Sequence, residues 1–172
     1  MTKQSGFSLI ELLVVVGIIL IIAAIAIPSV LQARIAANEA SAVSSIGTIN
    51  TAMVAYNSSY PTIGFPPSLA ALGGTCDTPT AIPTSTAACL IDSTLAQGTK
   101  SGYSFVATGA SPPPSGSYVA YANPMTANIT GVHSFCSIQD GVVRETGTTV
   151  ISSCGGAEPP ATGGVSIQTQ NH

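Results

Sequence analysis

The sequence predicts an α+β fold: a long amino-terminal helix, apolar in its first half and amphipathic in its second, packed on a small antiparallel β-sheet. Three observations predict it. Residues 12–27 form an unbroken apolar run. Beyond Pro28, Leu31, Ile35, Ala42, Ile46, Ile49, Met53 and Tyr56 recur at helical spacing. The second half of the chain instead alternates short aromatic and β-branched runs with Gly-, Pro- and Ser-rich turns, which is the pattern of strands. The 172 residues allow one domain with a modest core.

Composition narrows the function. Only 6% of residues are charged, against roughly 25% in soluble globular proteins, which fits a secreted or membrane-embedded chain better than a cytosolic one. With 45% hydrophobic residues and a net charge of −3 the chain lacks the signature of disorder. Lys3, Arg34, Lys100 and Arg144 are too few and too scattered for extended nucleic-acid binding.

The leader, residues 1–6, has one Lys and no acid, which favours keeping that end in the cytoplasm. Residues 7–27 are then long enough to cross a hydrocarbon core of ~30 Å as a helix. Three readings compete for this segment. A removable signal peptide has a cleavage site in Ala24-Ile25-Ala26, but Pro28 just beyond the cut and Glu11 near the start of the apolar region count against it. An ordinary anchor helix leaves Glu11 unexplained, since a carboxylate in the span costs on the order of a few kcal/mol unless paired. The third reading explains it. A cut after Gly6 makes Phe7 the new terminus, with an α-amino group inside the membrane. Glu11, four residues along a helix, is then a charge partner for an amine of its own or a neighbouring subunit.

Gly6-Phe7-Ser8-Leu9-Ile10-Glu11, followed by the apolar run and Pro28, resembles the amino terminus of type IV prepilins and related pseudopilins. Gly before the cut, Phe after it, Glu at the fifth mature position and Pro at the twenty-second fall where that family has them. The resemblance implies cleavage between Gly6 and Phe7 by a prepilin peptidase, N-methylation of Phe7, and charge pairing through Glu11 during assembly. A side chain at residue 6 would obstruct backbone approach at the protease, which gives Gly6 a physical reason. It further implies residence in the inner membrane as a prepilin, then in an extracellular pilus on the cell surface. The implied partners are other copies of the chain in a helical filament, the peptidase, and an assembly platform with its ATPase. Nucleic acid is not an expected partner.

The remaining elements follow in order. Gly17 and Pro28 are the expected weak points of the long helix, with a kink or local break at the proline. The family glycine associated with loss of helicity on assembly falls at residue 20, which is Leu20 here. Arg34, Asn38, Glu39, Ser45 and Asn50 lie largely off the apolar stripe, and the helix is expected to end near Tyr60-Pro61. Residues 61–102 read as a connecting loop, with short helical turns at 68–72 and 87–96. Strands are expected at 102–106, 117–121, 134–138 and 142–144, the last two joined across Gln139-Asp140-Gly141, where Asp-Gly signals a hairpin. The run from Gly102-Tyr103-Ser104-Phe105 through Ser134-Phe135-Cys136 to Asp140-Gly141-Val142-Val143-Arg144 is similar to the carboxy-terminal region of many bacterial major pilins. The two resemblances together imply the type IV pilin fold. The expected organisation is a leader at 1–6, a transmembrane and filament-core helix half at 7–28, and an amphipathic half at 29–60. The connecting loop at 61–102 and a sheet with a disulfide region at 103–172 complete it.

An exported head meets an oxidising compartment, so the four cysteines read as disulfides rather than metal ligands. Three connectivities are open. The expected pairs are the local ones, Cys76 with Cys89 and Cys136 with Cys154, each contributing ~3 kcal/mol in the chain-entropy model. The second is also the pairing that the family's carboxy-terminal disulfide implies. No CxxC pair occurs, and His133 and His172 lack zinc-ligand spacing. His133 beside Ser134 lacks a nucleophile elbow and a positioned base, and reads as a solvated or strand-edge histidine. Calcium near residues 140–145, as in some secretion pseudopilins, stays open, although Asp77, Asp92 and Asp140 do not form a calcium-loop pattern. Asn57-Ser58-Ser59 and Asn128-Ile129-Thr130 match the short glycosylation sequon. Phe7, Tyr56 and Tyr60 read as packing residues. The expectation is a structural subunit of a type IV pilus used for adhesion, motility or related surface functions, with no catalysis and no cofactor. The alternatives are a type II secretion pseudopilin, or a membrane-anchored minor pilin that binds DNA or a surface.

Overall fold

The structure, a computed structural model, describes residues 6–74, 82–147, 150–152 and 154. Helix α1, Leu9–Ser59, has 51 residues and is about 77 Å long at ~1.5 Å per residue. It runs through Gly17 and Pro28 without interruption, so the proline does not divide it into two helices. It stops at Tyr60, whose φ of −129° is no longer helical and whose N–H donates to the Tyr56 carbonyl at 2.9 Å. Pro61 then follows, and it has no N–H with which to continue the ladder.

Only the second half of α1 is buried. Ala42, Ser45, Ile46, Ile49, Asn50, Ala52, Met53 and Tyr56 face the head, at the three-and-four spacing of one helix face. The expected stripe is therefore shorter than its sequence pattern. Leu31 is exposed and Ile35 half-buried, because the head reaches along α1 only to the level of Asn38, whose side chain donates to the Thr130 carbonyl at 2.9 Å.

Between α1 and the sheet lie a single 3-10 turn, Leu69–Leu72, and a short helix α2, Ser93–Ala96. The expected helical segment at 87–96 is helical only over α2. Its first part is irregular, with Cys89 at φ +58°, and bonds to the 3-10 turn, Ala88 N–H donating to the Ala71 carbonyl and Leu90 N–H to the Leu72 carbonyl. Helix begins only where Asp92 supplies an N-cap, its carboxylate accepting the Leu95 N–H at 2.9 Å.

The sheet is a five-stranded antiparallel meander in sequential order. Its strands are β1 (Thr99–Lys100), β2 (Tyr103–Gly109), β3 (Tyr118–Pro124), β4 (Ser134–Ile138) and β5 (Arg144–Thr146). Strand β1 lies inside the stretch expected to be loop. It is two residues long, too short to leave a periodic signal. Strand β5 begins later than the expected 142–144. Gly141 has φ +71°, and the Asp140 carboxylate accepts the Val142 N–H at 3.0 Å, so the chain completes a turn before pairing resumes.

Along β2, Tyr103, Phe105, Ala107 and Gly109 face inward and alternate with more exposed residues. Strand β3 is buried on both faces. One face meets α1 through Tyr118, Ala120 and Ala122, within the main core that also holds Ile46, Ile49, Met53, Tyr56, Leu72, Leu95 and Phe135. The other face packs on a smaller cluster formed by Val119, Cys136 and Cys154, with Tyr121, Ile138 and Ile151 against it. The returning tail is thus what covers the outer face of the central strands.

Candidate functional site

Among the described residues, all of 7–31 except the half-buried Ala23 are exposed. Phe7 is 73% exposed, Leu9 81% and Ile25 73%. Phe7 is therefore not a packing residue within its own subunit, unlike Tyr56 and Tyr60, whose ring centroids lie 4.8 Å apart. The helix holds a stretch long and apolar enough to cross a membrane. Ser8 is the N-cap in extended conformation, its carbonyl accepting the Leu12 N–H at 3.2 Å. Phe7 thus precedes the helix rather than forming its first turn, and helical i,i+4 geometry between Phe7 and Glu11 is not present. Glu11 lies in the first turn, where unsatisfied N–H groups favour a negative charge.

The glycines of this arm are informative. A Cβ added at Gly6 or Gly17 would meet nothing within 4 Å. Glycine inside a helix costs roughly 0.5–1 kcal/mol relative to alanine. No contact within the subunit requires either one, so any requirement for glycine at these positions comes from outside it.

The head is fixed to α1 by polar side chains that the apolar pattern did not reveal. Glu39 accepts the Val132 N–H at 2.7 Å and the His133 N–H at 3.1 Å. The His133 ring bridges it to a second carboxylate, Nδ1 lying 3.3 Å from Glu39 Oε1 and Nε2 3.4 Å from Glu145 Oε1. Burial acts to raise the Glu39 pKa, but the two backbone donors and the imidazole outweigh it and hold the carboxyl below its usual range. His133, read from the sequence as solvated or at a strand edge, is instead a half-buried bridge at the start of β4. Asn50 is buried and its amide is fully used. It donates to Ser137 Oγ at 2.9 Å and to the Gly141 carbonyl at 3.1 Å, and its oxygen accepts the Tyr118 hydroxyl at 3.0 Å. Burial, with Asp140 nearby, pushes Tyr118 up to about 12, so its hydroxyl stays a donor. Asn38, Ser45 and Asn50 are each four residues from a member of the stripe, namely Ala42, Ile49 and Ile46. That spacing places them on the flank of the same face, a signal available in the sequence.

Cys136 and Cys154 form a disulfide with Cα atoms 5.5 Å apart. Cys89 is disulfide-bonded, while Cys76, its expected partner, lies outside the described residues, as do Asp77 and His172. Asp140 is engaged by the Arg144 guanidinium and the Val142 N–H, and among the described residues no group of three or more His, Cys, Asp and Glu side chains is placed to hold a metal. Asn57 is within α1, whereas Asn128 sits in an exposed turn at φ +61°.

Residues 1–27 match the family model described as the prokaryotic N-terminal methylation motif, which is the type IV prepilin signature. A long apolar amino-terminal helix on an antiparallel sheet is an α+β arrangement consistent with the pilin fold. The match defines a prepilin-type amino terminus, a motif that indicates structural pilin-like proteins. The motif implies processing by a prepilin peptidase and polymerisation into filaments. No curated protein and no solved structure matches the chain.

Proposed function

We propose that the chain is a structural subunit of a type IV pilus, held in the inner membrane as a prepilin and polymerised through its amino-terminal helix into a surface filament. The observation that carries this reading is the division of α1: its second half is covered by the subunit's own head, while residues 7–31, Ala23 aside, are exposed and mostly apolar. Such a surface has two suitable environments, lipid before assembly and the same segment of other subunits afterwards. The leader is 1–6 and the cut falls between Gly6 and Phe7. Hydrolysis of that peptide bond leaves a carboxylate on Gly6 and the amine of Phe7, which is then N-methylated.

Glu11 supplies the register. In an apolar filament core an unpaired carboxylate is costly, and pairing with the Phe7 amine of a neighbouring subunit removes that cost. Because Phe7 precedes the helix in its own chain, a partner amine from another subunit suits Glu11 better than an intramolecular one. Gly17 and Pro28 are the places where the exposed half adapts to its neighbours. Adhesion and motility are the functions such a filament serves.

Electron microscopy of sheared surface material, with mass spectrometry of the amino terminus, tests the reading. Long filaments containing this chain with methylated Phe7 at the terminus are expected. Correct processing without long filaments would point to a secretion pseudopilin instead. A terminus retaining residues 1–6 in the assembled form would refute the processing step.

A further inference from the structure

One edge of strand β2 is covered only in part. Successive residues of a strand turn their N–H and C=O groups to opposite edges. On the edge facing away from β3, the Phe105 N–H donates to the Gly98 carbonyl at 2.8 Å, and the Gly109 N–H donates to the Pro66 carbonyl at 2.7 Å. Ala107 lies midway between them, and the same alternation turns its N–H and C=O to that edge. Neither group has a hydrogen-bond partner there among the described residues. Strand β1 pairs only with Tyr103 and Ser104, so it does not reach the level of Ala107. Yet Ala107 is 1% exposed, and a backbone group so buried is normally paired.

A groove of about 270 Å³ runs beside this edge, with Ala107 among its lining residues. Pro67 stands toward its Gly109 end, where it accepts the Thr108 hydroxyl at 3.1 Å, and Gly98 toward its Phe105 end. No charged side chain lines it. From Phe105 to Gly109 the strand advances about 13 Å, which is room for about three extended residues. The chemistry of the edge selects its ligand. A donor and an acceptor on one residue, beside an uncharged groove, match the acceptor and donor of one residue of an extended peptide. Exchange of both bonds between two such residues is the hydrogen-bonded pair of an antiparallel ladder. An anion answers the N–H but is repelled by the carbonyl, and a cation the reverse.

We propose that the β2 edge at Ala107 is a peptide-binding site, taking an extended, uncharged segment of another protein antiparallel to β2, with one of its residues exchanging both hydrogen bonds with Ala107. The Gly98 and Pro66 carbonyls already occupy the edge on either side, so they limit the added strand to a single such pair and fix where it sits. The site belongs to the head and does not depend on the membrane or filament reading of the amino-terminal arm.

Amide hydrogen exchange and chemical shifts of the isotope-labelled full chain in detergent micelles test it. The probes are the blocked peptide acetyl-Thr-Val-Thr-amide and its counterpart N-methylated at all three residues, which keeps the acceptors and lacks those donors. Without peptide, the Ala107 amide is expected to exchange faster than those of Val106 and Thr108, which the alternation turns toward β3. Saturation with the unmethylated peptide should slow Ala107 by at least about tenfold, with shifts confined to the groove. The methylated peptide should bind at least about tenfold more weakly. Ala107 exchange as slow as its neighbours' before peptide is added would show a partner within the chain and overturn the proposal. No response at millimolar peptide would leave water on the edge, and equal binding of the two peptides would show apolar contact without pairing; either result overturns it. Slowing of Ala107 on raising the concentration of the chain alone would assign the edge to a second copy and likewise overturn it.

Discussion

Asn50 joins α1, β3, β4 and the turn after β4, and its replacement by alanine has a magnitude that the structure allows to be worked out. Three partners lose their bond. The Gly141 carbonyl belongs to an exposed residue, and water replaces the amide there. Ser137 Oγ retains a longer contact to the Ile138 carbonyl at 3.4 Å. The Tyr118 hydroxyl, on a residue only 3% exposed, has its bond to Asn50 as its means of satisfaction. Leaving one buried donor unsatisfied costs about 1–3 kcal/mol. With the side-chain volume lost beside it, Asn50→Ala should destabilise the head by about 2–3 kcal/mol. At about 4 °C per kcal/mol for a chain of this size, the transition should fall by roughly 10 °C. Near-ultraviolet circular dichroism of the detergent-solubilised chain on heating measures it through the tyrosines. The sharper test is a cycle with Tyr118→Phe, which removes the orphaned hydroxyl. The double variant should be about 1 kcal/mol more stable than the sum of the single effects predicts. Strict additivity, or an Asn50→Ala transition within about 0.5 kcal/mol of the parent, would refute the account of how the head is fixed to its helix.

Four further outcomes follow from the same contacts. A Cβ at Gly131 would lie 1.9 Å from the Tyr103 hydroxyl, which donates to the His133 carbonyl, so Gly131→Ala should cost ~1–3 kcal/mol by overpacking, and an unchanged thermal transition would contradict it. Cys136→Ser with Cys154→Ser should lower stability by ~3 kcal/mol and expose the outer face of β3 and β4; binding of an apolar dye by the folded variant reads the exposure. The Glu39 pKa is depressed in the folded head, so its contribution is present above the ordinary carboxyl pKa of about 4.3 and is lost as pH falls through the lower folded value; stability measured from pH 6 down to pH 2 (roughly the span of carboxyl titration) should fall less steeply in Glu39→Gln than in the parent. Glu11→Ala should leave the precursor stable in the membrane and impair filament formation, and sheared filaments of normal length and number would dispose of the register role.

The long helix and the strands were legible because each repeats a period. Ile46, Ile49, Met53 and Tyr56 mark one helix face, and Tyr103, Phe105 and Ala107 mark one sheet face. The short elements were not legible. Strand β1 has two residues, β5 starts only after a turn set by Asp140 and Gly141, and α2 has four residues with its start fixed by one carboxylate. The polar anchors were only partly legible. Glu39 and Asn50 lie largely off the apolar stripe, and although the spacing puts Asn50 on its flank, polarity alone is ambiguous between water and a buried network, and only the partners decide. Those partners, Val132 and His133 for one and Tyr118, Ser137 and Gly141 for the other, lie 68 to 94 residues away in the chain. The amino-terminal arm was legible as a motif, yet its exposure in the isolated subunit and the start of helix after Phe7 are matters of structure.

The scarcity of charge, 6% of the chain, acquires a meaning from how the charges are distributed. Among the described residues, Lys100 pairs with Asp92 at 3.1 Å and Arg144 with Asp140, while the His133 ring lies between the Glu39 and Glu145 carboxylates. Glu11 and Arg34 have no ion-pair partner among the described residues. They stand on either side of the apolar run 12–27, Glu11 in the first turn of α1 and Arg34 beyond Pro28. On the filament reading proposed above, an amine brought by another subunit answers the Glu11 carboxylate in a core where an unpaired charge is costly.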